Sequence, residues 1–113
     1  MFFNTMFGAA AQQTDGLTLL SVSEYKEAIA SKDVQLIDVR TAQEFHAGHI
    51  KNAKNIDFFQ HGLFNEKFSK LDKTRPVYLY CRSGNRSQHA ARKLLAMGFT
   101  DIYDLKGGFM AWR

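Results

Sequence analysis

Two short runs, "VQLIDV" (34–39) and "VYLYC" (77–81), constrain the fold of this chain most. Both are apolar at most positions rather than at every second one. A strand with one wet face alternates, so such runs suit strands covered on both sides, as in a parallel sheet between helices. Helices are predicted where they are needed. "TAQEFHAGHI" follows the first run, with Thr41 placed to cap, Glu44 three residues on to complete a capping box, and Gly48 to end the turn. After the second run, Ser87, Ala90, Ala91, Leu94 and Leu95 recur at spacings of three and four, with Gln88, His89, Arg92 and Lys93 on the other face. Gly98 then reads as the residue after the helix, with Phe99 making the contact that accompanies such a cap.

The remaining segments extend the alternation. "SVSEYKEAIA" carries a capping box in Ser21 and Glu24, and Val22, Tyr25, Ala28 and Ile29 share one face. Ile50, Ala53 and Ile56 suit an irregular return to the sheet, Phe64, Phe68 and Leu71 have helical spacing, and "DIYDL" reads as a strand. Gly107-Gly108 starts a last short segment, in which Phe109, Met110 and Trp112 are expected in the core. Strand and helix in turn, with short links, predict an α/β domain. At 113 residues it is one domain, burying roughly two-thirds of its extended-chain surface. Residues 17–113 are expected to form it. Residues 1–16 are expected to be a flexible leader or a segment docked on the domain.

Composition narrows the function classes. A single cysteine excludes an intrachain disulfide, and no Cys/His cluster has zinc spacing, so neither metal nor cofactor is expected. The net charge of +4 favours anionic partners without naming one. No basic run alternates with aromatics, so nucleic acid is not an expected partner. No apolar stretch is long enough to cross a bilayer. The start of the chain lacks a positive leader region and is interrupted by Asn4 and Thr5, so a cytoplasmic location is expected, with an atypical export signal as the alternative.

The seven residues "CRSGNRS" gather the one thiol, a glycine and two arginines between a buried strand and a helix. Gly84 permits a backbone conformation closed to other residues. Successive N–H groups of such a loop, with those of the next helix, converge on an anion. A sulfur there is stabilised as thiolate and is expected to be open to small reactants. The bland alternative is an inert core cysteine. The carboxyl edge of a parallel sheet is where α/β folds place their sites, which favours the first reading.

"YCRSGNRSQHAARKLLAMGF" closely resembles the active-site segment of the rhodanese-like sulfurtransferases, whose loop follows a Cys-x-x-Gly-x-Arg-Ser/Thr pattern. "LIDVRTAQEFHAGHIKNAKNI" and "LKGGFMAW" resemble their upstream and closing signatures, in the family's order and spacing. The resemblance implies a three-layer α/β sandwich with a central five-stranded, mostly parallel sheet, its first strand near "LTLL". It also implies sulfur transfer through a persulfide on Cys81. The donor would be thiosulfate or another sulfane-sulfur compound, and the acceptor cyanide, a small thiol or a thioredoxin-like protein. A sulfur carrier or interaction module loaded by a partner protein is the alternative. Carried onto this chain, Cys81 is the nucleophile, Arg82, Ser83, Gly84, Asn85 and Arg86 form the cradle, and Ser87 closes it. Asp38 and Arg40 match the "DVR" stretch that supports the loop, and Glu44, Gly48 and His49 match the element that follows.

The residues themselves leave some roles open. Arg86 either compensates the thiosulfate oxygens or turns to Asp38 or Glu44 and braces the loop. Arg82 is expected to be exposed at the mouth. Asp38 is expected to hold loop N–H groups or an arginine, and His49 to be packed and hydrogen-bonded at its turn rather than to serve as a base. A cysteine phosphatase would place five residues between cysteine and arginine; here there are four. No second cysteine can resolve a mixed disulfide, so an outside acceptor must discharge the sulfur. One domain of this size is expected to stand alone as a monomer.

Overall fold

A computed structural model of the chain describes residues 12–31 and 33–112. Six strands of the described residues form one sheet: β1 (Gln12–Thr14), β2 (Leu17–Leu20), β3 (Gln35–Asp38), β4 (Lys54–Asn55), β5 (Val77–Tyr80) and β6 (Ile102–Leu105). Their spatial order is β1-β2-β6-β5-β3-β4. The five strands from β2 to β4 run parallel, and β1 pairs antiparallel with β2. Among the described residues five helices cover the sheet: α1 (Val22–Ala28), α2 (Ala42–Ala47), α3 (His61–Ser69), α4 (Asn85–Ala96) and α5 (Gly108–Trp112).

The core lies on both faces of the sheet, which is why the central strands show no alternation. On one face Ile37, Leu79 and Ile102 meet Phe64 and Phe68 of α3 and Leu94 of α4. On the other, Leu36, Tyr80 and Leu105 meet Tyr25 of α1, Phe45 of α2 and Trp112 of α5. The result is the three-layer sandwich expected, with the parallel sheet of five strands extended by one antiparallel edge strand. No helix among the described residues is long and apolar enough to cross a membrane.

The local signals act as anticipated at the helix ends. Ser21 and Thr41 each accept from the N–H three residues on, and Glu24 and Glu44 reach back to the capping residues' own N–H groups. At the end of α4, Gly98 has φ +105°, its N–H bonds to Leu95 O, and Phe99 N–H reaches back to Leu94 O. That pair of bonds satisfies carbonyls the helix would otherwise leave orphaned. Residues 12–16 join the sheet: Asp15 and Gly16, both at positive φ, make the two-residue turn that folds β1 back onto β2. Residues 1–11 lie outside the described residues. α4 starts at Asn85, so Asn85 and Arg86, expected in the loop cradle, belong to its first turn.

Candidate active site

β3 and β5 are parallel neighbours with Asp38 beside Tyr80, so the chain leaves both at the same edge. Cys81 is the first residue beyond β5. Arg82 and Ser83 follow as an exposed bend, and Gly84, at φ +115°, is the capping residue of α4. A Cβ built on Gly84 would meet nothing within 4 Å, so here glycine is required by backbone conformation, not by crowding. No side chain caps α4, and its first-turn N–H groups are left for a ligand. The Gly84 N–H donates to Cys81 Sγ at 3.0 Å.

The loop is held from three sides. Phe109 N–H donates to Cys81 O at 2.8 Å and Met110 N–H to Arg82 O at 3.0 Å, so the start of α5 grips the loop's first two carbonyls. This grip explains Gly108: a Cβ there would stand 2.5 Å from Arg82 O and 2.7 Å from Ser83 N. From within, the buried Ser87 hydroxyl donates to Gly84 O at 3.2 Å. From α2, Glu44 accepts both ends of the Arg86 guanidinium, at 2.7 and 2.9 Å. The two-point pairing with Arg86 holds the Glu44 carboxyl down at about 2. It also raises the Arg86 guanidinium above its ordinary value, with a further contribution from the Cys81 charge. Arg86 therefore braces the loop against α2 while its charge bears on Cys81. Only two of its N–H donors go to Glu44, out of the five a guanidinium carries.

Asp38 and Arg40 form a second, buried pair, with Nη2 2.7 Å from Oδ2. Asp38 Oδ1 also accepts the Arg40 backbone N–H at 2.9 Å, and Arg40 Nη2 donates to Gly48 O at 2.6 Å. The guanidinium lies 4.4 Å from the Phe109 ring centre. Asp38 thus holds an arginine, as expected, and through it ties β3 to the end of α2 and to α5. His49 is exposed; its Nδ1–H donates to Phe45 O at 2.9 Å and its ring stacks on Phe45. It is hydrogen-bonded as expected, but its packing is on the surface. Neither Asp38 nor His49 makes a hydrogen bond to Cys81.

A cavity of about 300 Å³ opens beside the loop, lined by Arg40, Glu44, Gly48, Arg82, Phe109 and Met110. Arg82 is exposed at its mouth as expected. Two sequence readings are overturned here. Cys81 is 1% exposed and packs within the core of the α3 and α4 face, so its sulfur is not open to solvent as anticipated. An amide of the loop is nevertheless aimed at the buried sulfur. Met110, expected in the core, is 55% exposed and borders the cavity with Phe109. A strand end buried in a parallel sheet is apolar on every side whether or not it carries a reactive atom, so burial was not legible from the loop's polar letters. The grip of α5 on the loop was likewise invisible in periodicity; "LKGG" was its only trace.

Known proteins resemble this chain along most of its length. The family model for the rhodanese-like domain matches residues 21–113. The chain is 44% identical over 81 residues to YqhL of Bacillus subtilis, covering 72% of this chain and 62% of that one. It is 38% identical over 97 residues to the thiosulfate sulfurtransferase GlpE of Shewanella oneidensis, covering 82% of this chain and 89% of the relative. Among solved structures, a rhodanese-like domain protein from Staphylococcus aureus superposes with a TM-score of 0.73 at 32% identity, covering 84% of this chain and 90% of that one.

Proposed function

The chain belongs to the rhodanese-like domain family, and on that premise we propose that it is a thiosulfate sulfurtransferase working through a Cys81 persulfide. The observation that carries this reading is the Gly84 N–H directed at Cys81 Sγ from 3.0 Å, at the mouth of an uncapped helix. Preorganised donors of this kind stabilise negative charge without reorganisation at the moment of reaction. The Cys81 thiolate attacks the outer sulfur of thiosulfate. A new S–S bond forms on Sγ, the S–S bond of thiosulfate breaks, and sulfite leaves with the electron pair. Cyanide, a small thiol or the thiol of a thioredoxin-like protein then attacks the terminal sulfur, and its departure returns the thiolate. For cyanide the product is thiocyanate. No proton needs to move at Cys81 in either step, so no base is required beside it.

Arg86 supplies the positive charge that the dianion needs. It acts from the position Glu44 gives it, with donors to spare, and Arg82 receives the anion at the cavity mouth. Because Cys81 is buried, small donors reach it past the exposed side chains of Arg82 and Ser83. Intact mass measurement tests the proposal. Incubation with thiosulfate is expected to add one sulfur, about 32 Da, and cyanide to remove it with release of thiocyanate. Cys81→Ser abolishes both. Loading only from a protein persulfide, with none from thiosulfate, would overturn the reading in favour of a carrier fed by a partner.

A further inference from the structure

Asp104, in β6, is wholly out of solvent. Gln88 Nε2 donates to its Oδ2 at 2.7 Å, while Oδ1 has no hydrogen-bond partner among the described residues. No lysine or arginine among the described residues forms an ion pair with it. A buried carboxylate with neither a counter-charge nor a full set of donors is costly, so an apolar residue would serve stability better here. Its surroundings suggest what the carboxyl does.

Asp104 stands beside Leu79 in the β5 ladder, and Cys81 lies two residues further along the chain on the same face. Strand spacing and rise then put the two Cα atoms about 8 Å apart. The first turn of α4 roofs both. Ser87 donates to Gly84 O at 3.2 Å, and Gly84 is the residue whose N–H meets Cys81 Sγ. The same hydroxyl, with Gln88, also acts on the Asp104 carboxyl, against the burial that raises it to about 6. The Leu105 backbone N–H acts on the carboxyl in the same direction. The titratable groups near Asp104 are Cys81, at the end of β5 on the same face, and Tyr25 of α1. Asp104 helps to hold the Tyr25 phenol neutral from behind the sheet. β2 places Leu19 beside it, and α5 from Gly108 to Trp112 carries no acid or base.

We propose that Asp104 is a positioning residue for Cys81, opposing negative charge on the sulfur when ionised and leaving the loop set for an anionic sulfur when neutral. The ionised carboxylate, bonded to Gln88 at the start of α4, competes with Cys81 for the positive end of that helix. The neutral acid does not. Coupling between the two sites is reciprocal, so charge at Cys81 must be felt at Asp104. At about 8 Å and an effective dielectric of 20, the mutual effect is roughly thirtyfold in a protonation equilibrium before screening, and less once solvent and salt act.

The test uses charge alone and does not depend on the sulfur donor. The full chain is alkylated at Cys81 with iodoacetate in one sample and iodoacetamide in another, giving adducts of similar size, one anionic and one neutral. The Asp104 carboxyl is then titrated by carbon-13 NMR in each. The expected midpoint is higher in the anionic adduct, by several tenths of a pH unit up to about one. Identical midpoints would overturn the proposal. A second readout is the pH profile of Cys81 alkylation by iodoacetamide in Asp104→Asn. It is expected to match the unsubstituted chain near pH 5 and to run several-fold faster near pH 8. A uniform change at every pH would reduce Asp104 to a structural role and refute it. Failure of thiosulfate loading would leave both measurements interpretable.

Discussion

Replacing Gly108 by alanine should uncouple the loop from α5. Gly108 sits at φ +65°, and an added Cβ would lie 2.5 Å from Arg82 O, 2.6 Å from Arg82 C and 2.7 Å from Ser83 N. All three are backbone atoms, so no side chain can swing aside. A left-handed alanine costs about 1–2 kcal/mol. Forcing a methyl into packed atoms costs about 1–3 kcal/mol more. Together Gly108→Ala is expected to lose about 2–5 kcal/mol, or to recover part of that loss by pushing Arg82 and Ser83 outward. Gly98→Ala is the control: it also has positive φ, but its Cβ would meet only the Lys73 side chain, at 3.6 Å and beyond. Urea unfolding of both variants gives the difference directly, provided their m-values agree. Alkylation of Cys81 and thiocyanate formation report the loop. Gly108→Ala should be less stable than Gly98→Ala by at least about 1 kcal/mol, and only Gly108→Ala should change the reactivity of Cys81. Equal stabilities with unaltered reactivity at Cys81 would refute the claim that α5 positions the loop.

Substitutions at three further positions address charge. Asp104→Asn should stabilise the fold at pH 8 by about 1–3 kcal/mol and leave it little changed at pH 4. Burial raises this carboxyl to about 6, so the folded chain holds a proton that the unfolded chain has released, and its contribution is lost as pH rises through 6. A variant less stable at pH 8 in urea would contradict this. Glu44→Gln should cost about 1–2 kcal/mol at pH 7. Here the carboxyl is depressed to about 2 by Arg86, so its stabilisation is present above the unfolded value and disappears as pH falls through 2. Unfolding measured from pH 6 to pH 2 should show the two curves converging at the acid end. Arg86→Lys should keep the charge but lose the two-point grip on Glu44. Thiosulfate turnover is expected to fall about tenfold in Arg86→Lys and more in Arg86→Ala, whereas unchanged rates would remove Arg86 from the reaction.

Much of the architecture could be read along the chain because its causes are local. Ser21 with Glu24, and Thr41 with Glu44, cap their helices through atoms three residues apart. Gly98 needs only its own φ to end α4. The unbroken apolar letters of 34–39 and 77–81 imply cover on both faces, and so a parallel sheet with a site at its carboxyl edge. Even the edge hairpin has a local cause, in the Asp15-Gly16 pair. The loop's Cys-x-x-Gly-x-Arg-Ser spacing places a sulfur before a helix start, which is also a local fact.

What tertiary structure alone decided are the contacts between residues distant in sequence. The choice of Glu44 over Asp38 as the partner of Arg86 depends on how α2 lies against α4. Asp38 is already committed to Arg40, two residues away, and the order of strands β3 and β5 brings Glu44 within reach. The burial of Cys81 depends on which helices close over the end of β5. The need for glycine at 108 comes from the backbone of Arg82, and the unsatisfied oxygen of Asp104 from a roof made by Ser87 and Gln88. Local sequence sets backbone conformation through nearest-neighbour sterics and hydrogen bonds. Access, charge pairing and desolvation depend on what packs from elsewhere, and no stretch of letters contains that information.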